Sequence, residues 1–360
     1  MLRVRGMVQK ATRAPNVNEL FAPNVTGLSN LASDPCQGAN INKADAAKPG
    51  TLSNLCVLTG VPASEVGALP APSSGQINVL SGGNAALGPE SAKTRTIGFV
   101  IEPIPKLALS VDYYEIAIRD AVSSPSSTDI LDRCYSAAQN PGFANNEACG
   151  AVGRNTINGT FNGNESRGVT LPLSNLGTQR TSGVDLNLAY RFGADRVGFG
   201  SGWGNFDVSM GANQVNSYKF QATPSSVERD CLGYYSIACN NVVSSPVYKR
   251  KFNQRTNWNV GTWSVGYNWR YVSAVIEEPG GTVFLPQFAS IPAYHYVDLN
   301  ANWNINKNLR VSLSVTNAAN KKPPIVGGSI GGTGPNSGNT FPQSYDAVGR
   351  YVTLGASVKF

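Results

Sequence analysis

Apolar and polar residues alternate with period two in about ten segments of strand length, which predicts β-strands with one apolar face and one polar face. Leu2, Val4 and Val8 mark the first segment, Ile97, Phe99 and Ile101 the second, and Leu107, Leu109, Val111 and Tyr113 the third. The fourth is the clearest, with Val184, Leu186, Leu188, Tyr190 and Phe192 set against Asp185, Asn187, Ala189 and Arg191. Phe206, Val208, Met210 and Ala212 follow, then a weaker segment ending at Trp258 and Val260, then Trp263, Val265, Tyr267, Trp269 and Tyr271. Val297, Leu299, Ala301, Trp303 and Ile305 precede Leu309, Val311, Leu313 and Val315. The last segment, RYVTLGASVKF from Arg350 to Phe360, puts Val352, Leu354, Ala356, Val358 and Phe360 on one side. An apolar face against a polar one suits a strand with lipid on one side and water on the other. Beyond Tyr113 the phase shifts, because Glu115 takes the apolar parity and Ile116 and Ile118 the other. This predicts a bulge, or a strand continuing above the lipid.

The connections alternate in length. Short ones occupy residues 102–105, 193–203, 260–262 and 306–307, and long ones 11–89, 120–171, 219–247, 274–291 and 319–344. Strict alternation gathers the long loops at one end of an up-and-down sheet, as in outer-membrane barrels. A soluble β-sandwich has no reason to sort its loops in this way. Phe192, Trp258, Trp263, Trp303 and Phe360 share the apolar parity and lie near short turns or the terminus, which is the place of an interfacial aromatic girdle.

Composition agrees with this reading. Charged residues make up 14% of the chain against about 25% in ordinary soluble domains, and polarity comes largely from uncharged side chains with 38 glycines. Mean hydropathy is −0.17. No apolar run approaches the ~18 residues of a membrane-spanning helix. The opening MLRVRGMVQKATRAP lacks the apolar core of a secretory signal, which leads us to expect an incomplete chain. The net charge of +7 is scattered, with one tight cluster at Lys249, Arg250 and Lys251, so no nucleic-acid partner is expected. The glycine-rich stretch Gly327 to Gly334 lacks the GK[ST] of a phosphate loop and reads as a mobile loop.

Six cysteines fall into three local pairs, Cys36 with Cys56, Cys134 with Cys149, and Cys231 with Cys239, all inside long loops. Their even number and their Gly/Asn/Pro-rich surroundings favour short-loop disulfides in an oxidising compartment, although the connectivity stays open. Metal binding is the competing reading. It is disfavoured because no CxxC occurs and His295 is the single histidine.

Six segments in order give the chain a family resemblance. RAPNVNELFAP (Arg13 to Pro23), LGPESAKTRTIGF (Leu87 to Phe99), VDYYEIAIRDAV (Val111 to Val122), TSGVDLNLAY (Thr181 to Tyr190), VTNAANKKPP (Val315 to Pro324) and YDAVGRYVTLGASVKF (Tyr345 to Phe360) resemble landmarks of TonB-dependent outer-membrane receptors. One departure stands in LGPESAKTRTIGF, where Arg95 or Thr96 replaces a common acidic residue. The resemblance covers essentially residues 1–360 and implies the C-terminal part of a barrel of roughly 22 strands, without its N-terminal plug. It implies an all-β, antiparallel, up-and-down transmembrane barrel fragment of about ten strands, an open curved half-barrel with long extracellular loops. It further implies a bacterial outer-membrane location, no cofactor, and a receptor importing a scarce nutrient such as siderophore-iron, cobalamin or an oligosaccharide. The implied partners are outer-membrane lipid, the barrel assembly machinery reading Phe360, the small-molecule or oligosaccharide ligand, and the TonB complex acting through the missing plug.

Ligand contacts in such a receptor come from lumen-facing side chains near the long-loop end. The candidates are Arg180, Tyr294, Tyr296 and Asp298, weighed against a bland role in solvating the interior or pairing across strands. Arg13 and Glu19 are expected to organise a loop base. The rival reading is a small ten-stranded outer-membrane barrel enzyme or porin. Against catalysis, His295 shares parity with Val297 and Leu299 while Asp298 faces the other way, and no GxSxG occurs.

Overall fold

The structure is a computed structural model that describes residues 1–38, 41–236, 238–239, 245–279, 286–326 and 339–359. The predicted alternation becomes ten long strands. They are β1 (Leu2–Arg13), β2 (Glu90–Ile101), β3 (Leu107–Ser123), β4 (Ser174–Gly193), β5 (Asn205–Gln221), β6 (Arg250–Val260), β7 (Trp263–Val272), β8 (Tyr294–Asn304), β9 (Leu309–Thr316) and β10 (Tyr351–Val358). Each pairs antiparallel with its chain neighbour, so sheet order equals sequence order. Among the described residues β1 pairs with β2 alone and β10 with β9 alone, and the sheet stays open.

The expected loop sorting is present. Residues 102–106, 194–204, 261–262 and 305–308 link strands at one end, while 14–89, 124–173, 222–249, 273–293 and 317–350 gather at the other. The tightest link joins Val260 to Trp263 through two residues. Gly261 there has φ +55°, a conformation that side-chain-bearing residues resist.

Registers carry the apolar parity across the sheet. Ile97 lies opposite Tyr113, and Tyr113 opposite Val184, closing an apolar row. One step nearer the long loops, Glu115 lies between Arg95 and Ser182. One step further, Ala117 lies between Lys93 and Arg180, which faces Lys219. The apolar band therefore stops at one level on three adjacent strands. This explains the phase shift at Glu115: the strand runs on above the band with regular pairing to Ile118. The irregularities lie beyond it, between Ile118 and Ala121 and again before Ser123.

The band is bare. Val265 is 44% exposed, Leu313 42% and Leu354 74%, a row that water would not leave uncovered. The long loops instead build their own interior. Segments 14–89 and 124–173 form a four-stranded sheet in the order Val25–Asn30, Gln76–Ser81, Gly168–Leu171, Val152–Gly153, with helices Leu52–Leu58 and Ser127–Tyr135 alongside. Leu55, Ile77, Phe161 and Val169 fill its core. Thr51 and Ser126 cap the two helices through their side chains, which explains where each helix starts.

All three cysteine pairs are joined as disulfides, Cys36 to Cys56, Cys134 to Cys149 and Cys231 to Cys239. The glycine-rich stretch Gly327 to Gly334 and the terminal Phe360 lie outside the described residues.

Candidate functional site

The polar face of the sheet, near its long-loop end, carries a cavity of about 520 Å³. Its walls come from β4 to β8, whose odd and even positions alternate faces, and from Gln343 and Ser344 of the last long loop. Asp185, Asn187, Asn213 and Asn253 contribute polar groups, with Lys251, Arg270 and Tyr296 nearer the loops.

Two groups in this wall are already committed. Asn213 donates its amide to the Asp185 carboxylate at 2.7 Å and to the Tyr114 hydroxyl at 3.1 Å. Arg270 donates to both oxygens of Asp298, at 2.8 and 3.0 Å, and to both oxygens of Asp346, at 3.0 and 2.6 Å. This double fork fastens the last long loop to the wall, since such planar pairs are among the stronger hydrogen bonds. Asp298 also accepts from the backbone N–H of Asn317 at 2.9 Å, and Tyr296 accepts from the N–H of Asp346 at 3.2 Å. The Lys251 ammonium lies 4.6 Å from the Tyr248 ring centre, a cation–π contact.

Of the sequence-predicted ligand residues, Tyr294, Tyr296 and Asp298 come together on β8, and Arg180 does not join them. Tyr294 and Tyr296 are buried in an aromatic cluster with Tyr235, Tyr248, Phe341 and Tyr345. Arg180 stands on the opposite face, opposite Ala117 and Lys219, because it shares parity with Val184. Its polar character belongs to the charged zone above the apolar band. His295 and Asp298 face opposite sides of the sheet, and His295 accepts from Trp269 Nε1 at 3.1 Å.

Sequence reading missed Arg270, Asp346, Asn187 and Asn253. Parity alone placed the last two on the polar face, but their mutual position depends on register. Asn187 and Asn253 lie opposite the same residue of the strand between them, Gly211. The arrangement recurs twice on this face. Arg5 and Asp112 flank Gly98, and Asn257 and Asn300 flank Gly266. In both, the flanking side chains meet over the glycine: Arg5 Nε donates to Asp112 at 2.7 Å, and Asn300 donates to Asn257 at 3.2 Å. At Gly98 a Cβ would stand 1.9 Å from an Asp112 oxygen, so glycine is what permits the bridge.

The expected girdle residues gather at the short-turn end. Trp263 stacks on Trp303 with centroids 5.1 Å apart. Phe192 stacks on Phe206 at 5.4 Å, Phe206 on Trp258 at 6.2 Å, and Trp258 on Trp203 at 5.9 Å. A second aromatic group, unanticipated, lies higher on the apolar face. There Phe252 meets Trp269 at 4.7 Å and Tyr271 at 4.8 Å, and Tyr271 meets His295 at 4.8 Å.

At the loop base Arg13 forks between Glu90, at 2.7 and 3.0 Å, and Glu19, at 2.9 and 3.1 Å. Glu19 also closes a capping box with Asn16. Its carboxyl is held below the usual range, first by the Arg13 hydrogen bond. Deeper in the loops, Arg154 is fully buried against Asp34, donating at 2.7 and 2.9 Å, with the Phe161 ring 4.0 Å away. Burial pushes the Tyr135 hydroxyl beside them up from its ordinary value.

Comparison with known proteins matches this architecture. A family model described as the TonB dependent receptor-like β-barrel matches residues 1–318. A variant of the ferric enterobactin receptor PfeA from Pseudomonas aeruginosa superposes with TM-score 0.54 and 13% identity, covering 100% of this chain and 38% of that one. The siderophore receptor PirA from Acinetobacter baumannii gives 0.51 and 12%, covering 100% of this chain and 39% of that one. The copper transporter OprC gives 0.50 and 15%, covering 100% of this chain and 37% of that one. At these identities the likeness is one of fold, and the chain spans less than two-fifths of the length of these structures. No curated relative matches the chain.

Proposed function

Because its residues 1–318 carry the family's barrel model, the chain belongs to the TonB-dependent receptor β-barrel family, and we propose that it forms the C-terminal wall of an outer-membrane importer of a scarce nutrient. In this reading residues 1–360 are one barrel segment in the bacterial outer membrane. Lipid covers the apolar face, the polar face lines the lumen, and the long loops stand outside the cell. The plug, and coupling to the TonB complex through it, belong to the rest of a full-length receptor. The assembly machinery reads the terminal strand and Phe360.

One observation supports this reading: the polar cavity opens on the face of the sheet opposite the bare apolar band, with Gln343 and Ser344 of the last long loop at its edge. Two aromatic levels on the opposite face support it. Trp263 and Tyr271 stand eight residues apart on β7. At ~3.3 Å per residue that is about 26 Å along the strand, or about 20 Å along the membrane normal for the usual strand tilt. This approaches the ~25 Å apolar band of outer-membrane barrels, and the rings take its two interfaces.

The imported cargo is a siderophore-iron, cobalamin, copper or oligosaccharide species, in keeping with the family's range and with the siderophore receptors and copper transporter that share the fold. Deletion of the full-length gene, followed by uptake assays with labelled members of these four classes, tests the proposal. Loss of one uptake activity, restored by the complementing gene, is expected. Unchanged uptake of all four would count against the importer reading.

A further inference from the structure

One row on the outward face of the sheet sets like charges directly against each other. Lys10 lies opposite Lys93, Lys93 opposite Ala117, Ala117 opposite Arg180, and Arg180 opposite Lys219. All four cations are exposed. Like charges directly opposite destabilise a sheet, so the row works against folding unless an anion joins it. The chain supplies little of one. Lys219 reaches Glu228 at 3.2 Å, while Lys10, Lys93 and Arg180 form no ion pair among the described residues. Other outward cations stand against better partners. Arg95, one step nearer the apolar band, lies opposite Glu115, and Arg250 on β6 faces Gln214 and donates to it at 2.7 Å. On β7 and β8 the outward face ends in the rings of Tyr271 and His295 instead.

We infer that this row binds the phosphate of an anionic lipid headgroup in the outer leaflet, with Ala117 as the floor of the slot. The inference rests on the outer-membrane reading and adds a specific site to the face that reading gives to lipid. Lys93 and Arg180 stand on the strands either side of Ala117, their backbones about 10 Å apart at the usual strand spacing. Both side chains are long enough to bend over the Ala117 methyl and meet one phosphate, the arginine through a fork of two parallel N–H donors. Arg119, two residues beyond Ala117 on the same face, adds a further cation opposite Ser91. Position selects a lipid over a soluble anion. Ala117 lies four residues beyond Tyr113 of the apolar row, about 10 Å along the membrane normal once the strand tilt is allowed for, and long cationic side chains reach back from there to headgroup level. Because the face below is apolar and bare, a phosphate carried on acyl chains is held at both ends.

The test titrates the full-length receptor, purified in neutral detergent, with lipid A and with dephosphorylated lipid A, and counts retained lipid by native mass spectrometry. Preference for the phosphorylated form is expected. The double variant Lys93→Gln, Arg180→Gln should lower that affinity by about tenfold or more, and Lys307→Gln, in a short link at the opposite end of the sheet, should leave it unchanged. In lipid-free detergent the same double variant should melt at a higher temperature than the parent, because it relieves the opposed charges. A lower melting temperature would mark the two cations as structural and overturn the site. Equal affinity for the two lipids, or undiminished affinity in the double variant, would also overturn it while leaving the outer-membrane reading intact. Release of the lipid by excess inorganic phosphate would overturn the lipid assignment in favour of a soluble anion. Failure of the receptor to insert into phosphatidylcholine vesicles would remove the membrane placement itself, and the site with it.

Discussion

The ten-stranded sheet and the loop domain above it solve the problem of burial in opposite ways. In the loop domain Leu55, Ile77 and Val169 are fully buried, and the buried cation Arg154 meets Asp34 and two aromatic rings. In the sheet the large apolar side chains point outward and the polar ones face the cavity. The loop domain is therefore an ordinary water-soluble core closed by two disulfides, Cys36–Cys56 and Cys134–Cys149. The sheet is a fold turned inside out, whose apolar surface needs lipid. One sequence contains both because strand parity selects lipid or lumen, whereas the loops follow the usual rules of caps, cores and cross-links.

Substitutions can separate the two regimes. The largest effect is expected from Arg154→Ala, which strands the Asp34 carboxylate in the loop core at a cost of about 3–5 kcal/mol. Hydrogen exchange of the full-length receptor should show segments 14–89 and 124–173 opening while β6 to β9 stay protected. Exchange spreading into those strands would mean that the two regions are not independent.

Leu299→Arg should cost about 2–4 kcal/mol in a bilayer, since it puts a cation midway between the two aromatic levels. Asn300→Arg, one residue on and facing the cavity side, should cost far less. The folded fraction in lipid vesicles, read by heat-modifiable gel mobility, measures both. Equal losses would break the assignment of the two faces.

Trp303→Ala removes one ring of the Trp263 stack and should cost about 0.5–1.5 kcal/mol beyond the lost area, with no change in loop protection. The smallest effect concerns the junction between the regions. Glu19 has its carboxyl depressed by Arg13, so the pair's contribution is present above the ordinary glutamate value of 4.5 and is lost as pH falls below it. Because Arg13 is largely exposed, the change should stay under about 1 kcal/mol. Proteolysis near residues 14–24 should rise between pH 5 and pH 3, and Glu19→Gln should reduce that pH dependence, leaving the part carried by the Arg13–Glu90 pair.

Much of the sheet was legible in the sequence. Period-two alternation gave all ten strands, and connection lengths gave the two ends, because both depend on local spacing. The cysteine pairs were legible for the same reason, each lying within one loop. Register was not legible, since it joins residues far apart in the chain. For that reason the flanking of Gly211 by Asn187 and Asn253, the Arg270 double fork and the outward position of Arg180 emerged only with the structure. The loop domain was hidden more completely. Its sheet pairs Gln76–Ser81 with Gly168–Leu171 from a different loop, and its burial pattern in short strands carries no long periodicity.

Protease accessibility on living cells tests the central claim, that the disulfide-bonded loops and the short turns lie on opposite sides of an outer membrane. A specific protease site is inserted in the full-length receptor after Ile157 in the loop domain, or after Pro103 in a short link, and intact cells are treated with the protease. The account predicts cleavage after Ile157 on intact cells, and cleavage after Pro103 only once the outer membrane is permeabilised. Cleavage after Pro103 on intact cells, with the Ile157 site protected, would contradict it.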